Sequence, residues 1–309
     1  MSDIARSSYI GYIDAIREIA GECCDVVFLE NGRESSAVSP RPLKVSSAEQ
    51  DIILTAAGLA LGGYRVFVTA PFNPLLIASG YEQIRASVVI PNLKVVLSLV
   101  HGGDVLDQDG AARQICEDFA LMRVLPNMAV LAPADRRSSY SLTRSLLSCD
   151  GPAYIRLSYS DVCDIYAEDD SDFHIGGARL LTEGDGVTIC SVGIMVSEAL
   201  KASKVLAQQG INAEIIDCYS IKPFPEQTLL ASVRRTGCCV VAERHTNIGG
   251  LYGAVTECLC RSYTVPVRSV SVQDSFGQSG TPEELQEYYG LTHREIVHNV
   301  IQVWAMRRR

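Results

Sequence analysis

Short apolar runs alternate along the whole chain with longer stretches that carry a helical pattern. The first half contains the runs DVVFLE, RVFVTA, LKVVLSLV, MAVLAPA and PAYIRLS, and the second half contains VTICSVG, AEIIDCYS, CCVVAER and VRSVSV. Near-continuous apolar strands separated by helices are typical of parallel sheets with helices on both faces. The sequence therefore predicts an α/β fold made of two doubly wound domains in series.

The helical patterns fall between these runs, and an acidic segment separates the two halves. Helices are predicted near 8–20, 47–62, 77–88, 112–123 and 135–148, then near 195–209, 225–235, 249–262, 281–289 and 292–305. The segment SDVCDIYAEDDSDFHIGG interrupts the alternation with acids and glycines, as a linker does. We predict a first domain at 1–160, a linker at 161–178 and a second domain at 179–309.

Composition excludes several classes of function. The net charge of −9 over 309 residues argues against a protein that binds the phosphate backbone of nucleic acids. No apolar run reaches the length of a membrane span, and the N-terminal stretch lacks the apolar core of a signal peptide. The eleven cysteines include no CxxC metal clip, so reduced structural thiols are expected. The sequence thus predicts a cytoplasmic protein that binds neither nucleic acid nor membranes.

The stretch VSSAEQDIILTAAGLALGGY, residues 45–64, places one glutamate at the start of an apolar helix. Ser46 and Glu49 have the spacing of a capping box, in which each side chain bonds the other residue's backbone N–H group. The Ile, Leu and Ala residues that follow predict a helix buried almost all round. Because a buried helix start is an unusual place for an acid, a chemical role for Glu49 remains an alternative to the cap.

Ligands of open α/β sheets gather beyond the carboxyl ends of the strands. Three such loops stand out: TAPFNPLL after RVFV, HGGDVLDQDGAARQ after VVLSLV, and RHTNIGG after CCVVAE. Gly184-Asp185-Gly186 with Asn212 imitates a magnesium- and diphosphate-binding signature. It precedes the strand VTICSVG instead of following one, so a turn is the better interpretation.

Several longer stretches resemble the thiamine-diphosphate-dependent transketolases and, more narrowly, the C-terminal subunit of split transketolases. They include SAEQDIILTAAGLALGGYRVFV, GYEQIRASVVIPNLKVVL, DQDGAARQICEDFALMRVLPNM, AERHTNIGGLYGAV and DSFGQSGTPEELQEYYGLT. The resemblance implies a pyrimidine-binding domain followed by the transketolase C-terminal domain. It also implies a separate N-terminal subunit that holds the diphosphate and Mg²⁺ of thiamine diphosphate, in an α2β2 assembly in which this chain dimerises.

The resemblance places cofactor contacts on three residues of the first domain. Glu49, in the AEQ motif, corresponds to the catalytic glutamate that contacts N1′ of the cofactor pyrimidine and shares a proton with that nitrogen. Phe72 matches the first aromatic residue around the pyrimidine. Leu75 stands at a position that is aromatic in many relatives, which implies aliphatic contact with the ring there.

The resemblance also implies substrate contacts, and here the chain departs from the family. His101 matches a histidine near the donor substrate, and Asp109 matches an aspartate that reads substrate hydroxyl groups. Arg113 replaces the histidine of the family's G-x-T-H-Q pattern; arginine holds a carboxylate or phosphate with two parallel bonds. Alternatively, Arg113 lies on the exposed face of a helix start. Tyr159 stands near the position where many transketolases carry an arginine that binds the sugar phosphate. Ser36 is a candidate substrate contact in a loop that is shorter than the family's.

Three departures around one pocket predict that the ketol-transfer chemistry is kept while the substrate differs, for example a specialised acceptor in biosynthesis. A 2-oxoacid dehydrogenase E1 β-type subunit and a deoxyxylulose-phosphate-synthase-like enzyme use the same cofactor chemistry and remain alternatives. A non-catalytic, transketolase-like assembly or regulatory protein is the alternative of another class. His245, in RHTNIGG, is expected to have a structural or interface role, with Gly249 and Gly250 allowing close packing where the next helix opens.

Overall fold

The computed structural model describes residues 7–31, 42–45, 48–70, 76–100, 110–112, 114–160, 162–167, 170 and 172–307. The chain divides into two compact units: unit 1 contains residues 1–102 and 121–175, and unit 2 contains residues 103–120 and 176–309. Within the described residues, no helix combines the length and the apolar character needed to cross a membrane.

The strands and helices follow the predicted alternation. The strands are β1 Val26–Asn31, β2 Pro42–Val45, β3 Arg65–Ala70, β4 Val95–Val100, β5 Ala129–Leu131, β6 Ala153–Leu157, β7 Arg179–Thr182, β8 Val187–Ser191, β9 Ala213–Asp217, β10 Ser220–Lys222, β11 Cys239–Thr246 and β12 Val267–Val272. The helices are α1 Ser8–Glu22, α2 Glu49–Leu61, α3 Leu76–Ser79, α4 Tyr81–Gln83, α5 Asp118–Arg123, α6 Arg136–Ser145, α7 Met195–Gln208, α8 Glu226–Thr236, α9 Leu251–Ser262, α10 Pro282–Tyr288 and α11 His293–Trp304. Each apolar run predicted as a strand contains one, whereas β2, β7 and β10 were not predicted.

The strands of unit 1 pair in the order β5-β6-β4-β3-β1-β2, and every one of these pairings is parallel. The central strand β4 is buried along its whole length, as its apolar run predicted. Helix α1 packs against α6, and Gly11 makes the close approach possible because a Cβ atom there would collide with the backbone carbonyl of Arg136. The predicted α/β fold is confirmed in unit 1.

Unit 2 contains a five-stranded sheet in the order β12-β11-β8-β9-β7. Its pairings are parallel except at the edge, where β7 runs antiparallel to β9. Its core joins residues of the sheet to apolar residues of α7 and α11, and it also includes Cys116 from the segment before α5. The second predicted α/β domain is therefore present as well.

The capping-box prediction for α2 is wrong. The helix begins at Glu49 with Ala48 as its N-cap residue, so Glu49 is the first helical residue instead of the third, and the Ala48 side chain makes no cap hydrogen bond. The expectation of burial all round is also wrong within this chain. Ile52, Ile53 and the alanines one turn later form a single buried stripe, while Leu54 is 47% exposed and Leu61, in the last turn, is 72% exposed.

Two other helices differ from their predictions. The helix predicted at 77–88 is divided at Gly80 into α3, α4 and a π-helical stretch, Ile84–Val89. The helix predicted at 112–123 is reduced to α5, which begins only at Asp118. Residues before it satisfy their polar groups elsewhere: the Cys116 carbonyl accepts from the backbone N–H of Thr246 at 2.9 Å.

Candidate active site

The carboxyl ends of four neighbouring strands lie along one edge of the unit 1 sheet. Because β4, β3, β1 and β2 are parallel and adjacent, their last residues, Val100, Ala70, Asn31 and Val45, end on the same side. The edge where parallel strands end is where ligands of such sheets bind. Each of these strand ends is followed by a segment in which the sequence places a cofactor or substrate residue.

Of the predicted site residues, only Glu49 belongs to the part of the chain that the structure describes. The others lie outside the described residues: Ser36, Phe72, Leu75, His101, Asp109 and Arg113. Ser36 comes five residues after β1 ends, Phe72 two residues after β3 ends and His101 one residue after β4 ends. Chain connectivity therefore starts all three segments from the same sheet edge, and the roles of these residues stay predictions.

Glu49 lies four residues beyond the end of β2 and is the first residue of α2. The parallel pairing of β2 with β1 puts this helix start at the edge where the other strands end. Glu49 is half-buried, whereas Asp51, in the same helical turn, is exposed. A half-buried carboxyl group at this edge can accept or donate one proton to a ring nitrogen within hydrogen-bond distance, and it fits the cofactor pyrimidine that the resemblance implies.

A buried cluster of three hydroxyl groups lies beneath this edge, and the sequence analysis missed it. The Tyr12 hydroxyl in α1 lies 2.7 Å from Oγ1 of Thr69 and accepts a hydrogen bond from Oγ of Ser98 at 2.8 Å. Thr69 and Ser98 pair in register near the ends of β3 and β4. Burial raises the pKa of Tyr12 well above its ordinary value, so the cluster is neutral. Polar residues near the ends of apolar strands are the signal that points to it.

Tyr159, which stands near the position of the family's phosphate-binding arginine, packs against Tyr9 of α1. Its ring meets that of Tyr9 edge-on, with the ring centroids 4.5 Å apart and the planes at 64°. Burial raises the pKa of the Tyr159 phenol, so a neutral hydroxyl group occupies this position. Tyr159 therefore supplies no positive charge at this position, and the changed substrate pocket stays a prediction.

The segment that follows the predicted substrate loop is described from Gly110 except for Arg113, and it clusters with unit 2. Nε2 of Gln114 donates to the carbonyl of Gln278 at 2.8 Å, and the backbone N–H of Ala120 donates to Nε2 of His245 at 3.3 Å. Residues 114–117 are not helical. The helix start predicted at 112 is therefore wrong, because α5 begins at Asp118. Arg113 itself lies outside the described residues, and both interpretations of it stay predictions.

The sequence at 184–186 forms the predicted connection into a strand. β8 begins directly after it at Val187, and the backbone N–H of Gly186 donates to the carbonyl of Asn212 at 2.8 Å. A Cβ atom on Gly184 would lie 2.6 Å from the backbone of Ala213, so glycine is needed for this close approach. The triplet therefore precedes β8 instead of following a strand, as the sequence predicted.

Two family models match the chain in series. Residues 28–163 match the transketolase pyrimidine-binding domain, and residues 176–296 match the transketolase C-terminal domain. The chain is 33% identical to a putative transketolase C-terminal section of Methanocaldococcus jannaschii, over 98% of each chain. It is 37% identical to a 6-deoxy-6-sulfo-D-fructose transketolase subunit of Clostridium sp., over 94% of this chain and 92% of that subunit.

A solved structure agrees with these relatives. The chain superposes with a TM-score of 0.89 and 35% identity on a split-gene transketolase described as an inactive β4 tetramer, covering 98% of this chain and 99% of that one. The chain therefore belongs to the transketolase family. Within that family it corresponds to the C-terminal-section subunit of a two-subunit transketolase, which is a transferase and works with a partner subunit. Its pyrimidine-binding domain implies thiamine diphosphate as the cofactor.

Proposed function

We propose that this chain, together with a separate N-terminal-section subunit, transfers a two-carbon ketol unit from a ketose donor to an acceptor carbonyl. The active assembly is an α2β2 complex in which the partner holds the diphosphate and most of the Mg²⁺ coordination, and this chain receives the pyrimidine. The observation that carries the proposal is the position of Glu49, a half-buried acid at the edge where four parallel strands end.

In this proposal Glu49 acts on one atom. Its carboxyl group lies against N1′ of the pyrimidine and shares a proton with that nitrogen. When bound, thiamine diphosphate supplies the carbanion stabilisation that moving a two-carbon unit requires. Phe72 and Leu75 contact the pyrimidine ring, with an aliphatic contact at Leu75. His101, Asp109 and Ser36 bind the donor, and they exclude water and orient its hydroxyl groups.

We further infer that one substrate carries an anionic group. Arg113 stands where the family has a histidine, and a guanidinium group binds planar or tetrahedral oxyanions with paired hydrogen bonds. The subunit from Clostridium sp. is named for a sulfonated sugar, which supports an anionic substrate among related subunits. A sugar phosphate, sugar sulfonate or sugar acid is therefore the class to test.

Reconstitution tests the proposed function directly. Co-expression with an N-terminal-section transketolase subunit should give a complex that binds thiamine diphosphate and Mg²⁺ and releases an aldehyde from a ketose phosphate or sulfonate. Pyruvate is the discriminating second donor, because the 2-oxoacid dehydrogenase and deoxyxylulose-phosphate-synthase alternatives both consume a 2-oxoacid. Turnover of pyruvate in place of ketoses would support those alternatives. Cofactor binding without turnover of any donor would support a non-catalytic role.

Replacing Arg113 by histidine tests the choice of substrate. We expect kcat/KM for the anionic donor or acceptor to fall by about ten- to a hundredfold, because one charge-assisted contact is worth about 1.5–3 kcal/mol. The ratio of activity with an uncharged ketose to activity with the anionic substrate should rise. Arg85→His is the matched control, since Arg85 is exposed and lies 3.9 Å from Glu82 in an ion pair on the surface. Equal effects of the two substitutions would contradict a substrate contact for Arg113.

A further inference from the structure

The segment from Gln114 to Ala120 is hydrogen-bonded at three points to unit 2: twice to the end of β11 and once to the loop before α10. Gln114 bonds the Gln278 carbonyl, the Cys116 carbonyl accepts from the backbone N–H of Thr246, and the backbone N–H of Ala120 donates to His245. We call residues 114–120 the stem, because they follow the predicted substrate loop at 101–113 without interruption. Three fixed points within seven residues leave the stem little freedom to shift.

His245 is held in one tautomer by its two neighbours. Nδ1 lies 2.7 Å from the carbonyl oxygen of Thr246, which can only accept, so Nδ1 carries a proton and donates. Nε2 faces the backbone N–H of Ala120 at 3.3 Å, which can only donate, so Nε2 is unprotonated and accepts. The side chain is fully buried. The imidazole is therefore a neutral bridge between β11 and the stem.

The surroundings of His245 are shaped around this bridge. The Phe119 ring stacks on the imidazole, with the centroids 5.2 Å apart and the planes at 22°. Gly250 lies so close that a Cβ atom would collide with the Glu243 carboxylate and with Nδ1 of His245. Gly249 has a φ of +82°, and a Cβ atom there would lie 2.7 Å from that of Ala120. The predicted close packing of both glycines is confirmed, and it seats the stem against the bridge.

The carboxylate of Glu243, which lies next to His245, is hydrogen-bonded to the start of α9. Oε2 and Oε1 of Glu243 accept from the backbone N–H groups of Leu251 and Tyr252 at 2.7 and 2.8 Å. The carboxylate thus caps the start of α9. It stays 3.9 Å from Nδ1 of His245, beyond hydrogen-bond distance. Glu243 orients the start of α9, while the imidazole of His245 bonds the stem.

We propose that His245 is a positioning residue for substrate selection: through the bridge to Ala120 it fixes the stem, which directly follows the residues to which the proposed function assigns substrate binding. The inference rests on the proposed function, because it gives His245 a purpose only if those residues bind substrate. In the sequence, Arg113 directly precedes Gln114, the first residue of the stem, and Asp109 directly precedes Gly110. A small displacement of a binding group is enough to cost a large factor in rate.

Two amide substitutions separate the two nitrogens of His245. His245→Gln can place an acceptor near the position of Nε2, and His245→Asn can place a donor only near the position of Nδ1. We expect the Ala120 amide to exchange its hydrogen about tenfold faster in His245→Asn, because its hydrogen bond is lost, and to stay close to the wild-type rate in His245→Gln. This measurement uses the full chain and needs no substrate.

The kinetic part uses the reconstituted complex with a ketose phosphate donor. His245→Asn should raise the KM for the donor on the order of tenfold while the Kd for thiamine diphosphate changes less than about twofold, and His245→Gln should restore KM. Thr188→Val is the control for lost stability, since the Thr188 hydroxyl is fully buried 2.6 Å from that of Ser232 in the same unit. It should leave KM and stem exchange unchanged.

Each outcome has one consequence. Unchanged exchange at Ala120 in His245→Asn, or an equal rise in KM for Thr188→Val, would overturn the positioning role. Faster exchange with an unchanged KM would overturn the link between the stem and substrate selection. A wild-type complex that binds thiamine diphosphate without transferring a ketol unit would instead refute the proposed function, while the exchange data would still decide the bridge.

Discussion

Replacing Glu49 by glutamine should lower kcat of the reconstituted complex by about 10²- to 10⁴-fold, the range that a positioned proton-transfer group contributes. Glutamine has nearly the same shape as glutamic acid but exchanges no proton with a ring nitrogen. Glu49 is the first residue of α2, so the substitution leaves the helix interior intact. Turnover of the ketose donor, measured at saturating thiamine diphosphate, gives kcat directly.

Asp51→Asn is the matched control for Glu49→Gln. Asp51 is the other acid in the first turn of α2, and it is exposed. Both acids interact favourably with the positive end of the helix dipole, so both substitutions cost about 0.3–1 kcal/mol of stability. Only the substitution of Glu49 should lower kcat by this factor, and Asp51→Asn should leave it unchanged. Wild-type activity in Glu49→Gln, with the complex assembled, would refute the catalytic assignment.

The strand pattern could be predicted because the strands of a parallel sheet are buried on both faces. Such strands have nearly continuous apolar sequences. β4 illustrates this, since VVLSLV is buried throughout. β2 was missed because its four residues, PLKV, include proline and lysine and form an edge strand beside β1. The start of α2 was placed wrongly because Ser46 and Glu49 fit a local capping pattern. The helix instead begins at Glu49, four residues after β2 ends.

The candidate site divides in the same way between local and tertiary information. Glu49 could be proposed because its AEQ motif and its place at the start of an apolar helical stretch are both visible in the sequence. The hydroxyl cluster of Tyr12, Thr69 and Ser98 joins positions up to 86 residues apart, so only the register of β3 and β4 brings it together. The bridge from His245 to Ala120 spans 125 residues. No periodicity or spacing connects residues so distant.

A second large effect is expected at Asp135, the N-cap residue of α6. Its carboxylate is fully buried; Oδ1 accepts from the backbone N–H and the hydroxyl of Ser138 at 2.8 and 2.7 Å. Oδ2 accepts from the backbone N–H groups of Ile165 and Tyr166 at 2.8 and 3.0 Å. One side chain thus starts a helix and fastens a segment that follows β6.

Asp135→Ala should lower the free energy of unfolding by about 3–5 kcal/mol, because it leaves several buried donors without their acceptor. Thr281→Ala is the control, since Thr281 heads a capping box of the same form at α10 but is exposed. That substitution should cost about 1 kcal/mol. Urea denaturation followed by circular dichroism measures both.

Asp135→Asn separates the two halves of the cap. The amide keeps one acceptor oxygen, but its NH₂ group faces the donors that the other oxygen had bonded, either those of Ser138 or those of Ile165 and Tyr166. We therefore expect the free energy of unfolding to fall by about half as much as for Asp135→Ala. Hydrogen exchange should show which half opens: the amides of Ile165 and Tyr166 should become faster if Oδ2 is the oxygen replaced. Equal costs for Asp135→Ala and Thr281→Ala would mean that burial and the contacts to 165–166 add nothing to a local helix cap.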